Sequence, residues 1–224
     1  MTEYRLKITL LNDATFGRGD GVAGLVDTEV QHDEYGLPYL GGRALKGLLG
    51  AECADIVFAL ESACPKQQAD HWKAVAQRLF GQSGGALEGE AILRVSPARL
   101  PDDLRAAVAQ DVRRKKLARA AVLETLTALR RQTAMDAKTG APKKDTLRTM
   151  RVIVRTTVFE ATLSFSEEPM PDDLALLAAC VKAFRRAGSG RNRGRGKLKA
   201  ELYDADNRPV TEVHFKDFQK AVGA

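Results

Sequence analysis

The chain has 224 residues, 44% hydrophobic and 29% charged, with a net charge of +6. That is enough apolar material for a sizeable core and the balance of a globular protein. No apolar run reaches the roughly 20 residues of a membrane span, and three cysteines without metal spacing exclude a zinc or disulfide framework.

The excess charge is uneven. Residues 111–155 and 185–199 are rich in Lys and Arg, whereas residues 20–34 are acidic. This distribution suits a nucleic-acid binder with an acidic loop beside it. Cys53, Cys64 and Cys180 read as reduced, mostly buried thiols of a reducing compartment. The opening residues already alternate as a strand, not as a signal peptide, and the expected location is the cytoplasm.

Residues 3–11 alternate, with Tyr4, Leu6, Ile8 and Leu10 on one face and Arg5, Lys7 and Thr9 on the other, which predicts a half-buried strand. Residues 12–41 lack periodicity and predict a long loop, a feature that in a compact domain is usually functional. A helix is expected from Gly42 to about Leu60, through Leu45, Leu48, Leu49, Cys53 and Ile56. Residues 70–80 predict a short helix that ends at Gly81, Ser83-Gly84-Gly85 a turn, and residues 86–95 a strand. Pro101-Asp102-Asp103 starts a helical stretch that runs to about Arg131. Its Arg113-Arg114-Lys115-Lys116 cluster reads as a solvated face.

Residues 132–150 are polar, with Lys138-Thr139-Gly140-Ala141-Pro142 as the turn of a projecting hairpin. Residues 151–166 predict a strand, Pro171–Ala187 an amphipathic helix that stops at Gly188, and Lys197–Tyr203 a strand. The fold class is therefore α+β: a ferredoxin or RRM-like βαββαβ core with a helical insertion and a protruding hairpin. Residues 1–224 are read as one domain, its insertion over about 101–131 and its hairpin over about 132–150. The strands lack the aromatic signature of an RRM, so any RNA must be held by loops.

The most telling segment is Ala187 to Lys197, where Gly188, Gly190, Gly194 and Gly196 are interspersed with Arg191, Asn192, Arg193, Arg195 and Lys197. Glycine permits close approach and positive φ, and arginine forks suit phosphate oxygens. The segment predicts either a phosphate cradle or a solvated basic turn.

Three stretches carry a family resemblance: Gly24 to Val30 followed by Gly36-Leu37-Pro38-Tyr39-Leu40-Gly41-Gly42-Arg43-Ala44-Leu45-Lys46-Gly47; Asp136 to Gly140 with Leu147 to Val152; and Gly188 to Gly196. Together they resemble the RAMP superfamily of CRISPR-associated proteins, and within it the Cas7-type backbone subunits of type III effector complexes. Arg43-Ala44 and Gly41-Gly42 depart from the family's usual Ser-Ser and Pro-Gly.

The resemblance implies a guide-RNA-binding subunit that cleaves paired target RNA with a first-loop aspartate, Asp27 by position. It implies RNA contacts from Arg43, Lys46, Gly188, Gly190, Arg191, Asn192, Arg193 and Arg195. It also implies a thumb at Thr133–Met150 that splays a base pair, with Met135 or Leu147 as wedge and Lys138 and Arg148 alongside. A divalent metal, Mg²⁺ or Mn²⁺, is implied at Asp27. The implied partners are guide RNA, target RNA, other Cas7-type copies or paralogues, a Cas10-type large subunit and a small subunit, with no membrane.

RNA carries its own nucleophile, the 2′-OH, so an enzyme needs mainly positioning and charge control. Carboxylates are weak bases near neutral pH, which favours an orienting or ion-holding role for Asp27. Asp20, Glu29, Asp33 and Glu34 are nearby substitutes, and His32 is a candidate general base. His71 and His214 have no partner motif. The alternatives are a non-catalytic RNA-binding backbone subunit, a Cas6-type guide-processing endoribonuclease, and an RNA-binding module outside CRISPR.

Overall fold

The computed structural model describes residues 3–81, 90–136, 138–143 and 146–223. In chain order the elements are β1 (Glu3–Leu10), α1 (Gly42–Ala63), α2 (Lys66–Phe80), β2 (Leu93–Val95), α3 (Asp102–Arg113), α4 (Arg119–Leu126) and β3 (Thr127–Gln132). Then come β4 (Arg148–Ile153), β5 (Val158–Phe165), α5 (Pro171–Ala183), β6 (Leu198–Tyr203) and α6 (Thr211–Val222).

Four strands form an antiparallel sheet in the order β2-β5-β1-β6. The alternation in β1 sets its face: Leu6 sits opposite Ala161 and Leu202, and Ile8 opposite Phe159 and Ala200. All six are buried, while Arg5, Lys7 and Thr9 face the other way and stay at least partly exposed. On the apolar face lie Leu45, Leu49 and Cys53 of α1, Trp72 and Leu79 of α2, and α5, in which every residue from Asp173 to Val181 is buried. α5 is enclosed because α1, α2, α6 and β6 all contact it, which explains its nearly all-apolar surface. α6 closes the stack by setting Phe218 against Trp72, ring centres 4.9 Å apart.

Local chemistry sets the boundaries. Pro65 follows α1, Gly81 (φ 86°) ends α2, and Asp102 and Asp103 complement the dipole at the start of α3.

Several expectations need correction. The helix expected to reach Arg131 breaks at Arg114–Ala118, where Lys115 adopts φ 59°. The chain is strand from Thr127, because pairing of Thr127–Gln132 with Arg148–Ile153 outweighs helical periodicity. The hairpin therefore starts before residue 132. The strand expected over 86–95 is a strand only at Leu93–Val95; residues 82–89, including the expected Ser83-Gly84-Gly85 turn, lie outside the described residues. The strand expected over 151–166 is divided by the turn at Val154–Thr157. α5 stops at Ala183, not Ala187, because Arg185 and Arg186 are drawn into pairing with Leu198 and Lys197. α6 was not foreseen: its polar Thr211–Val222 run buries only Thr211 and Phe218 fully.

Candidate nucleic-acid interface

The first loop folds on itself. Residues 17–20 and 27–30 run antiparallel, with Gly17 opposite Val30 and the Arg18 N–H donating to the Glu29 carbonyl (3.0 Å). A Cβ on Gly21 would lie 2.3 Å from the Val26 carbonyl oxygen, so the tip closes only around glycine. The returning limb lies parallel to β4: the Asp27 N–H donates to the Thr149 carbonyl (2.8 Å) and the Arg151 N–H to the Thr28 carbonyl (3.0 Å). The Thr149 N–H in turn donates to Asp27 Oδ2 (2.7 Å). Beneath this seam, Arg151 Nε sits 2.9 Å from Glu29 Oε1 with both side chains buried. Glu29 also accepts the Val30 N–H (2.9 Å), and Arg151 donates to Thr127 Oγ1 (3.2 Å). These bonds supply the partners that a buried ion pair requires.

The Gly/Arg segment is a loop clasped at its neck. Gly188, Gly190, Gly194 and Gly196 all have positive φ. Cβ atoms on Gly188 and Gly196 would lie 2.4 Å from the Thr15 carbonyl oxygen and 1.8 Å from that of Ala187. Residues 12–15, which follow β1, hold this loop and the β3–β4 hairpin together. Asn12 Nδ2 donates to the Gly194 carbonyl (2.6 Å), and the Gly196 and Ser189 N–H groups donate to the carbonyls of Asp13 (2.9 Å) and Thr15 (2.8 Å). Arg130 donates twice to Asp13 Oδ2 (3.0 and 2.8 Å), and Ala14 pairs with Ile153.

These elements surround one groove of about 600 Å³, lined among others by Asp20, Asp27, Gln31, Gly47, Gly188 and Arg191. An adjoining cleft of about 460 Å³ shares Gly188 and Arg191 and adds Gln132, Met150, Asn192, Arg193 and Arg195. Segments more than 160 positions apart in sequence thus bring a carboxylate and arginines to one concave surface beside the hairpin.

The expected site residues divide. Asp27 is exposed at the groove; Arg191, Asn192 and Arg193 are exposed in a short 3₁₀ turn. Arg195 is half-buried and turns to the Met150 sulfur. Arg43 is exposed on the first turn of α1. Lys46 does not line the groove: its Nζ donates to the Leu93 carbonyl (2.8 Å), and burial lowers its pKa.

The substitutes for Asp27 are mostly committed elsewhere. Asp20 is bound by Arg18 (2.6 Å), and that bond lowers its pKa. Glu29 is buried with Arg151. Asp33 Oδ1 caps the N–H groups of Tyr35 (2.9 Å) and Leu37 (3.0 Å). The His32 ring meets Arg119 Nη2 (3.2 Å).

At the hairpin tip, Asp136 Oδ1 accepts the N–H groups of Lys138 (2.9 Å) and Thr139 (3.0 Å), the Thr139 bond being the larger cause of its lowered pKa. Met135 pairs with Pro142. Ala137 lies outside the described residues. Met135 and Leu147 are 60% and 61% exposed, and Lys138 and Arg148 are exposed too. Sequence reasoning missed the Glu29–Arg151 pair; its only trace was an arginine inside the apolar run Met150–Ile153.

The family model of the RAMP superfamily matches residues 7–199. The chain belongs to the RAMP superfamily. No curated protein matches it. Among solved structures, this RAMP chain is similar to a chain of the "Cryo-EM structure of the Type III-B Cmr-beta bound to cognate target RNA": 13% identity, 89% of this chain and 96% of that one covered, TM-score 0.60. It is also similar to a chain of "Type III-B Cmr-beta Cryo-EM structure of the Apo state": 14% identity, coverage 94% and 98%, TM-score 0.61. At such identities the likeness is one of fold. Among the described residues of this RAMP, no helix is long and apolar enough to cross a membrane.

Proposed function

We propose that this RAMP is a Cas7-type backbone subunit of a type III CRISPR effector complex, which holds guide RNA on its Gly/Arg loop and cuts paired target RNA at Asp27. The observation that carries this reading is the groove in which Asp27, the α1 face and the Gly/Arg loop converge beside a projecting hairpin. The sheet order β2-β5-β1-β6 supports a split βαββαβ core. The exposed Met135 and Leu147 support a thumb that wedges into a duplex, at a cost of about a few kcal/mol for unstacking.

In this reading Arg191, Asn192 and Arg193 hold guide phosphates, and Arg43 adds charge at the start of α1. Lys46 serves the sheet edge instead. The wedge distorts the target strand so that a 2′-OH comes in line with its phosphate. The 2′-oxygen forms the new P–O bond, the bond to the 5′-oxygen breaks, and the products are a 2′,3′-cyclic phosphate and a 5′-OH. Asp27 accepts a hydrogen bond from the 2′-OH and orients it. The 2′-OH proton passes to solvent, and the leaving 5′-oxygen takes one up.

A resident divalent ion does not fit the protein alone. Among the described residues no three carboxylate, His or Cys groups cluster, and one Asp27 oxygen already accepts the Thr149 N–H. An ion at this place would be held mostly by RNA phosphates and water, so no step above passes through it. The divalent requirement remains a proposal about the protein–RNA complex.

One observation favours a second reading, a non-catalytic backbone subunit: a carboxylate that caps a strand N–H has a structural task without any chemistry. A Cas6-type role is weaker, because His32 is engaged by Arg119 and does not line the groove. The deciding test is cleavage of a guide-matched RNA by complexes that carry Asp27→Ala, with Asp20→Ala and Asp33→Ala as controls. Loss of cutting by Asp27→Ala alone, with assembly on RNA intact, is expected. Normal cutting by Asp27→Ala overturns its role.

A further inference from the structure

The α3–α4 elbow presents five basic residues within seven positions: Arg113, Arg114, Lys115, Lys116 and Arg119. All are exposed. Two of them fasten the elbow to the first loop. Arg113 donates to the Tyr35 hydroxyl (2.5 Å), its guanidinium 5.3 Å from the ring centre, and Arg119 meets His32. The contact is close: a Cβ on Gly36 would lie 2.4 Å from the Arg119 carbonyl oxygen.

The other three are weakly paired among the described residues. Among the described residues Arg114 and Lys115 have no ion-pair partner, and Lys116 reaches Asp111 only at 4.0 Å. A cationic helix C-terminus would explain Arg113, but that benefit fades within the last turn. Lys115 and Lys116 lie beyond it, and at φ 59° conformation alone favours glycine or asparagine at position 115.

Beside these charges runs a cleft of about 570 Å³, with Tyr35 on one side and Ala106, Ala109, Gln110 and Arg113 of α3, then Arg114, on the other. The alanines leave room for a strand to approach. No residue of α3 is fully buried; in the cleft Arg105 also pairs with Asp102 (2.7 Å), its Nε being buried without a hydrogen-bond partner.

We infer that the elbow is a second phosphate-binding surface, for the target RNA strand as it passes the first loop. The inference rests on the reading above, in which the target is the strand at Asp27. The 27–30 limb of the loop carries Asp27, and its next residues, 31–36, carry the elbow; the Gly/Arg loop assigned to the guide is clasped elsewhere, by residues 12–15. The backbone bonds from the Lys115, Lys116 and Leu117 N–H groups to Val112 and Asp111 fix the backbone of the elbow, which suits a contact that positions RNA without reading bases.

The test uses the chain assembled on a synthetic 40-nucleotide single-stranded RNA, with a labelled complementary RNA as target. The variant Arg114→Ala/Lys115→Asn/Lys116→Ala spares both docking arginines, and Asn tolerates the left-handed turn. Each phosphate contact on a single strand contributes about 0.7 to the salt slope. Between 50 and 200 mM salt, wild type should therefore lose about 20-fold more target affinity than the variant. Retention of the first RNA should not change, and Arg114→Lys/Lys116→Arg should behave as wild type. An unchanged target slope, or a change confined to the first RNA, overturns the inference. Arg191→Ala/Arg193→Ala run in parallel separates the two failures: if it too leaves RNA binding untouched, the underlying reading falls; if it weakens the first RNA while the elbow variant does nothing, only the elbow does.

Discussion

Asp27 and Thr149 hold each other twice. The Asp27 N–H donates to the Thr149 carbonyl and the Thr149 N–H donates to the Asp27 carboxylate, at 2.8 and 2.7 Å. The carboxylate proposed to meet RNA is thereby fixed to β4 opposite Arg131, near the outer end of the β3–β4 ladder of the hairpin proposed to part the duplex.

The clamp separates two roles of one side chain. Asp27→Asn keeps a carbonyl oxygen for the Thr149 N–H but removes the charge; Asp27→Ala removes both. Thermal melts should place Asn near wild type and Ala lower by about 1 kcal/mol, the size of one hydrogen bond. Cleavage should be lost in both. Cutting by Asp27→Asn at the wild-type rate would leave only the clamp.

Glu29 and Arg151 make a stronger prediction. Removing one partner strands a buried charge, so Glu29→Ala or Arg151→Ala should cost about 3–5 kcal/mol in denaturant unfolding. Glu29→Leu/Arg151→Met together should cost much less, since neither leaves a charge behind. Equal losses in the single and double variants would mean that packing, not charge, dominates there.

The loop glycines should rank by what surrounds them. Gly194 has open space around its missing Cβ, so Gly194→Ala pays only for its φ of 80°, about 1–2 kcal/mol. Gly188→Ala and Gly196→Ala add backbone clashes at 2.4 and 1.8 Å. Both should lower the melting temperature further and weaken RNA retention more than Gly194→Ala. A reversed order would show that the loop neck opens easily.

His214 is half-buried on α6 with its ring edge-on to Tyr4 (6.3 Å). Burial lowers its pKa below the ordinary 6.5, with Asp217 opposing in part. The unfolded chain then binds a proton more readily than the folded one, so this group's stability is present above about pH 6.5 and lost as pH falls toward the folded value. Melting temperatures from pH 7.5 to 5 should fall less steeply for His214→Phe than for wild type. Parallel slopes would refute the assignment.

Elements with strong two- or 3.6-residue periods were legible in the sequence: β1 from Tyr4, Leu6, Ile8 and Leu10, and α5 from Leu174, Leu177 and Val181. The Gly/Arg loop was legible because glycine at those positions has a conformational meaning. The switch from α4 to β3 was not, since Leu126 and Leu129 fit a helix and only the distant partner Arg148–Ile153 makes a strand. The fates of Glu29 and Lys46 were equally hidden. An acid and a base read as surface groups until the fold shows Arg151 beside one and the Leu93 carbonyl beside the other.

Residues 12–15 have a consequence for how the chain tolerates change in length. Four consecutive positions serve the Gly/Arg loop through Gly194, Gly196 and Ser189, and the hairpin through Arg130 and Ile153. One residue inserted after Asn12 would displace Asp13, Ala14 and Thr15 from Gly196, Ser189, Arg130 and Ile153 together, whereas the exposed turn at Lys138–Gly140 bonds locally, to Asp136. The spacing of one short stretch therefore acts as a ruler for the whole surface.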